Sequence, residues 1–398
     1  MSVIGILGIL LALSGVVFAR AHETRPRAVI FAALLLIHIC ASFAYYSYTQ
    51  EFGGDVHLYY YDPIGYHGDW SFGTAFLISF VQTAKNTLGG TFLDYFMVFQ
   101  AIGFWGILFL IRTFDDVHEE LELPRTGLPY LLLFIPGVHF WTSAIGKDAP
   151  LFLGVAMCVF AAFRLKSRWP LVIAGIFIMV LVRPHIALIT VMTLAIAVFF
   201  EPRTRTLVKS ALLAVTMVGA VAVAATVQSS FTVDLSNAES VSEFFERTST
   251  IGEESGGDVS IVGASFPVKL FSLLFRPMFL DAVGMLGYVA SLENLLLLFI
   301  FLLLVRHART SAALARKVFF ARFALVFFIA LTILLAMVNY NVGLGLRQKM
   351  MMMPALLTFF ISVVGVLRAR HAPAVAVEAP VATGFAPAHS GLPAPIGR

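Results

Sequence analysis

Charge is scarce in this sequence: 13% of its 398 residues are Asp, Glu, Lys or Arg, while 59% are hydrophobic. A soluble domain carries about 25% charged residues to cover its surface, so a soluble globular protein is excluded. Cysteine is scarcer still. Cys40 and Cys158 both lie inside apolar runs, which excludes a disulfide framework and a thiolate metal site. No dedicated metal-binding spacing and no short-period repeat is present, so no metal and no cofactor is expected. The formal charge of +4 has meaning only once the charges are sorted by side, and no nucleic-acid partner is expected.

What the chain does have is long apolar runs. Stretches near 20 residues recur along it, each long enough to cross a hydrocarbon core of about 30 Å. The expectation is an all-α, polytopic transmembrane bundle occupying residues 1–370. It has about eleven spans, near 2–19, 28–48, 91–111, 128–141, 149–163, 169–182, 186–200, 207–227, 283–305, 318–338 and 350–367. No basic residue precedes the first run, whereas Arg20, Arg25 and Arg27 follow it. That pattern suits an uncleaved helix with its N-terminus outside. The alternate connections then collect most of the Lys and Arg, including Arg164, Lys166, Arg168, Arg203, Arg205, Arg306, Arg316 and Lys317. The positive-inside rule puts these and the C-terminus in the cytoplasm.

Two long segments, 49–90 and 228–282, fall outside in this topology. The first contains Asp55, Asp62 and Asp69, then an amphipathic stretch over 72–88 that is too short to span and reads as interfacial. The second opens with Ser240 three residues before Glu243, a capping-box spacing, and passes through GEESGGD (252–258). It returns as FPVKLFSLLFRP (266–277), a second interfacial candidate. The Ala/Pro-rich tail, 371–398, is expected to be disordered.

Spans 128–141 and 149–163 flank the polar turn TSAIGKD (142–148), and spans 169–182 and 186–200 flank RPH (183–185). A 14-residue helix rises only about 21 Å, so these turns should sit below the membrane surface. Ionisable groups at such depth are functional candidates by default. Lys147, Arg183, Arg276, Arg347 and Lys349 are the cations placed to converge on this mouth. Arg347 and Lys349 close NYNVGLGLRQK (339–349), whose Gly343 and Gly345 would let the backbone approach a ligand. Such a rim would suit a diphosphate, because planar guanidiniums pair bidentately with phosphate oxygens. Blander readings stand beside this one. Lys147, Arg276 and Lys349 could snorkel to headgroups, Lys147 and Asp148 could form a local pair, and His185 could be a satisfied polar residue.

If the ligand is a lipid-linked sugar, the acceptor hydroxyl needs a base. Asp55, in EFGGDVHLYYYDP (51–63), is the leading candidate, with His185 as a second catalytic candidate; an exposed loop carboxylate is the alternative for Asp55. Tyr59 and Tyr60 are placed to stack on sugar faces, and His57 and Asp62 are weaker base candidates. Glu293, within SLEN (291–294), reads as structural.

The ordered set GGDVHLYY, FWTSAIGKD, VRPHIAL, LFRP with SLEN, and NVGLGLRQKMMMMP resembles the bacterial oligosaccharide repeat-unit polymerases and related polytopic glycosyltransferases of surface-polysaccharide assembly. The resemblance covers most of residues 49–354. It implies a multi-pass protein of the bacterial inner membrane that joins undecaprenyl-diphosphate-linked oligosaccharides at the periplasmic face. It also implies diphosphate recognition by Arg183 and Arg347 and acceptor activation by Asp55. The implied partners are the lipid-linked substrate, membrane lipids and other polysaccharide-assembly proteins. A flippase for the lipid-linked glycan and a non-catalytic member of an assembly complex are the competing expectations.

Overall fold

The computed structural model describes residues 2–20, 25–123, 127–202, 204–231, 260–261, 263–339 and 341–371, with isolated positions at 237, 239–240 and 243. Every regular element in them is helical; one isolated antiparallel bridge joins Ser260 to Asn341. Among the described residues seven helices are long and apolar enough to cross a membrane: 29–52, 92–120, 165–182, 206–225, 284–306, 319–338 and 342–370. The chain is therefore a membrane protein of helical-bundle type, with one of these helices at each of seven expected spans. Of the other four expected spans, three are shorter apolar helices, Val3–Val17, Asp148–Ala162 and Pro184–Phe199.

The fourth, 128–141, is not one helix. It is a 3-10 turn, Leu128–Phe134, followed by a separate short helix, Pro136–Trp141. Pro136 causes the break, since proline donates no backbone hydrogen bond and forces the preceding residue out of the helical region. Ile135 accordingly has φ −58° and ψ 114°.

In chain order the helices are α1 (Val3–Arg20), α2 (Arg25–Phe52), α3 (Asp55–Tyr61), α4 (Thr74–Leu88), α5 (Phe92–Glu120), α6 (Pro136–Trp141), α7 (Asp148–Ala162) and α8 (Leu165–Val182). They continue as α9 (Pro184–Phe199), α10 (Thr206–Phe231), α11 (Phe266–Phe275), α12 (Gly284–Arg306), α13 (Ala308–Lys317), α14 (Phe319–Val338), α15 (Val342–Lys349) and α16 (Met353–His371). The interfacial stretches read at 72–88 and 266–277 are helices α4 and α11. The stretches carrying the Ser240–Glu243 capping box, GEESGGD and the tail beyond His371 lie outside the described residues, isolated positions aside.

Helix α5 and the α15–α16 run are the most buried of the long helices, while residues 206–225 of α10 bury none of their side chains. An apolar helix of that kind is stable only against lipid or another apolar surface. Small residues bring the inner helices close. A Cβ on Gly8 of α1 would lie 2.7 Å from the Met97 carbonyl of α5, and Gly154 of α7 meets Gly175 of α8 backbone to backbone. Helix α5 runs past its expected end at 111 to Glu120, carrying Asp115 and Asp116. Partners make that extension possible. Asp116 pairs with Arg168, whose guanidinium lies 3.7 Å from the Phe160 ring centroid, and Tyr130 donates to Asp115.

Candidate anion site

Four chain segments meet at one set of helix ends. The first is the turn between α2 and α3. Gly53 and Gly54 adopt φ of 74° and 130°, values that L side chains rarely take, and they reverse the chain so that Asp55 opens α3. His57 Nε2 stands 2.9 Å from the Thr49 carbonyl and ties α3 back to α2. The second segment is the turn after α6, which delivers Lys147 and then Asp148 in the first turn of α7, where the helix dipole favours a carboxylate. The third is Arg183, which closes α8 and, with Pro184 at the first helical position, opens α9. The fourth is α15, capped by the Asn341 side chain accepting from Leu344 N at 2.6 Å, which carries Arg347.

Arg347 is the hub. Its Nη1 donates to Asp55 Oδ2 at 2.7 Å and its Nε to Asp148 Oδ2. The second oxygen of Asp148 faces Arg183 Nη2 at 3.9 Å. Lys147 turns away from Asp148 and donates to Thr74 Oγ1, at the start of α4, at 2.6 Å. Gly146 lies against the site, where a Cβ would make ordinary contact with Arg347 Nη2 at 3.7 Å and Tyr59 at 3.6 Å. Two guanidiniums thus share two carboxylates, and with Lys147 beside them the cluster carries one excess positive charge.

The two carboxylates differ. The Asp148 side chain is 5% exposed and that of Asp55 is 56% exposed. Asp148 is a buried post under two guanidiniums, whereas Asp55 caps the cluster from the solvent side. Burial acts to raise the Asp55 carboxyl, but the Arg347 charge and hydrogen bond, with Lys147 and Arg183 behind them, hold it below its ordinary value. Lys147 shifts the other way. Burial, then the charges of Arg183 and Arg347, lower its ammonium to about 8, against the opposing pull of Asp55 and Asp148. The cluster therefore has one cation whose charge an incoming anion would hold to higher pH and one carboxylate that an incoming anion would displace.

Of the candidate residues, Asp55, Lys147, Arg183 and Arg347 come together. His185 is next to them, exposed in the first turn of α9, with Arg183 and Lys147 the cations acting on it. Arg276 does not join; it pairs with Asp281 of its own turn at 2.5 Å. Lys349 does not join either. At 100° per residue it lies about 200° around α15 from Arg347. It is fully buried and donates to Asn294 of α12.

Tyr59 and Tyr60 are not sugar platforms, being 2% and 7% exposed. They form the inward face of α3 with Val56, and Tyr60 donates its hydroxyl to the Gly90 carbonyl at 3.0 Å. Tyr61 is the exposed one of the three. The stretch 339–349 is largely helix rather than a glycine loop. Gly345 serves packing, because a Cβ on it would lie 2.9 Å from Asn339 Nδ2 and 3.6 Å from Leu273 Cα.

Asp148 is the site member whose role the sequence did not reveal. Its lysine neighbour suggested a local pair, and nothing in the chain signalled a partner 199 positions away. Among the described residues no group of three His, Cys, Asp or Glu stands close enough to hold a metal ion. No protein-family model, curated protein or solved structure matches the chain.

Proposed function

We propose that this chain is a glycosyltransferase of the bacterial inner membrane that joins oligosaccharides carried on undecaprenyl diphosphate, as a polysaccharide polymerase does. One observation carries the reading: Arg347, Arg183 and Lys147 gather around two carboxylates at helix ends in a strongly apolar bundle. Guanidiniums held by a buried carboxylate are pre-oriented donors for a diphosphate. The lipid tail of the donor would lie along the apolar helices.

In this reading each member of the cluster has a role. The diphosphate takes the Arg347 donor now held by Asp55, and Lys147 meets the anion as an ammonium. Asp55, released from Arg347, becomes basic enough to accept a proton. The acceptor hydroxyl then attacks the anomeric carbon, and its proton passes to Asp55. The bond from that carbon to the phosphate oxygen breaks, and the diphosphate leaves with the electron pair, stabilised by Arg347 and Arg183. Asp148 keeps its place throughout.

A translocase for the same lipid-linked glycan is the second reading. It is favoured by Lys349, a cation buried inside the bundle beside Asn294 and Glu293. Lipid-linked glycans from cells lacking the protein, rescued by wild type or Arg347→Ala, separate the two. Single repeat units accumulating outside, with long chains restored only by wild type, support the transferase. Units trapped on the cytoplasmic face support the translocase, and an unchanged profile removes both.

A further inference from the structure

Away from the anion site, two histidines face each other inside the bundle. His38 of α2 and His139 of α6 are both 0% exposed. Their Nδ1 atoms stand 3.2 Å apart, with ring centroids at 5.3 Å and planes at 64°. Each ring is also anchored at its far nitrogen. His38 Nε2 is 3.0 Å from the Gln100 carbonyl of α5, and His139 Nε2 is 2.8 Å from the Leu133 carbonyl.

Counting hydrogens gives the inference. A carbonyl oxygen only accepts, so each Nε2 must carry its hydrogen. Two neutral imidazoles own two N–H hydrogens in all, and both are then spent on the carbonyls. The Nδ1 atoms are left as two lone pairs pointing at each other. Three contacts in a row need three hydrogens. We infer that His38 and His139 form a proton-binding site, which takes up one proton between the facing Nδ1 atoms and holds it as an imidazole–imidazolium pair. With the proton absent, one of the three contacts must open.

The surroundings set the terms. The Phe104 ring of α5 lies 5.9 Å from His38, and the one titratable group whose charge acts on His38 is His139. No charged side chain acts on His139. The charges of Arg347, Asp148 and Asp55 bear on Tyr45, two turns further along α2. No carboxylate compensates the pair, so desolvation opposes the proton and the third hydrogen bond favours it. The side chain of Gln100, fully buried on the helix that anchors His38, has neither its oxygen nor its nitrogen hydrogen-bonded.

The position gives the proton a consequence. Helix α2 leads to Asp55 and α6 leads to Lys147 and Asp148, and α2 is also joined to the turn after α6 by Ser42 Oγ donating to the Ser143 carbonyl at 2.9 Å. Proton uptake adds a further bond between the two segments that Arg347 bridges.

The test is magic-angle-spinning NMR of ¹⁵N-histidine-labelled full-length protein in lipid bilayers across pH, with signals assigned by His38→Gln and His139→Gln. The expected result is a single uptake event shared by both rings, a far-downfield proton coupled to both Nδ1 atoms, and Nε2–H retained in both. Complete loss of that signal in either variant is expected as well. Should the variants not fold, the wild-type coupling pattern decides by itself. Two independent titrations, no uptake over the range in which the protein stays folded, or an Nδ1–H tautomer with a bare Nε2 would overturn the proposal.

Discussion

Arg347 and Lys349 are two residues apart on one short helix, yet they inhabit opposite worlds. Arg347 points to converging helix ends and is shared between Asp55 and Asp148. Lys349 points into the core, where its hydrogen-bond partner is the neutral amide of Asn294, itself held by Asn294 Nδ2 donating to the Pro277 carbonyl at 2.7 Å. Nearby Glu293 spends a carboxylate oxygen on Gly137 N at 2.5 Å. A cation answered by carboxylates, one of them open to solvent, can exchange a partner for a ligand. A cation buried against an amide, with its neighbouring carboxylate buried too, cannot exchange without the packing opening.

The largest effect should come from breaking the buried half of the Arg347 cluster. Arg347→Ala leaves the buried Asp148 with only Arg183, at 3.9 Å, to answer its charge, with an expected loss toward the low end of about 3–5 kcal/mol in detergent unfolding experiments. Adding Asp148→Asn should recover much of it, since the loss then belongs to the orphaned charge. Lys349→Met should cost less, about 1–3 kcal/mol, because it strands the neutral Asn294 carbonyl while Glu293 beside it keeps its hydrogen bond from Gly137 N. If Lys349→Met proves the more damaging, the contrast between the two faces of α15 fails.

Asp55→Asn sharpens the difference between the two carboxylates. Its effect on stability should stay below about 1 kcal/mol, as for other exposed pairs. Diphosphate binding should tighten, because the internal competitor for Arg347 is weakened, while transfer falls by about 10²-fold or more with the base removed. Weaker binding and intact transfer would make Asp55 a ligand contact instead.

A smaller effect belongs to Lys147. An anion prefers the ammonium form, which is lost as pH rises through about 8. Affinity for a diphosphate lipid should therefore fall across that interval in wild type, and the step should disappear in Lys147→Ala. Arg276→Gln, at a residue whose ion pair lies within its own turn, should change binding by no more than about 0.5 kcal/mol in the same titration.

Much of the helical layout was legible because a membrane helix declares itself by the length of its apolar run. Pro136 sat in the middle of the expected span 128–141, and the break it causes was read through. The extension of α5 to Glu120 was less visible, because Asp115 and Asp116 end the apolar run and their partners Tyr130 and Arg168 come later in the chain. Recessed turns between short helices pointed to Lys147 and Arg183. Helical angle alone should have separated Arg347 from Lys349, but the glycines of 339–349 read as a loop and concealed the helix. The meeting of Asp55, Asp148 and Arg347 lay beyond local pattern, because it joins residues far apart in the chain, and only packing shows which helix ends coincide.

The most direct test measures binding of undecaprenyl diphosphate to the full-length protein in lipid nanodiscs, comparing wild type with the charge-balanced Arg347→Ala/Asp148→Asn pair at pH 7. Saturable binding by wild type, lost at least tenfold in a double variant that stays folded, is the predicted result. Equal binding by the two proteins would contradict the assignment of Arg347 and its neighbours as the diphosphate site.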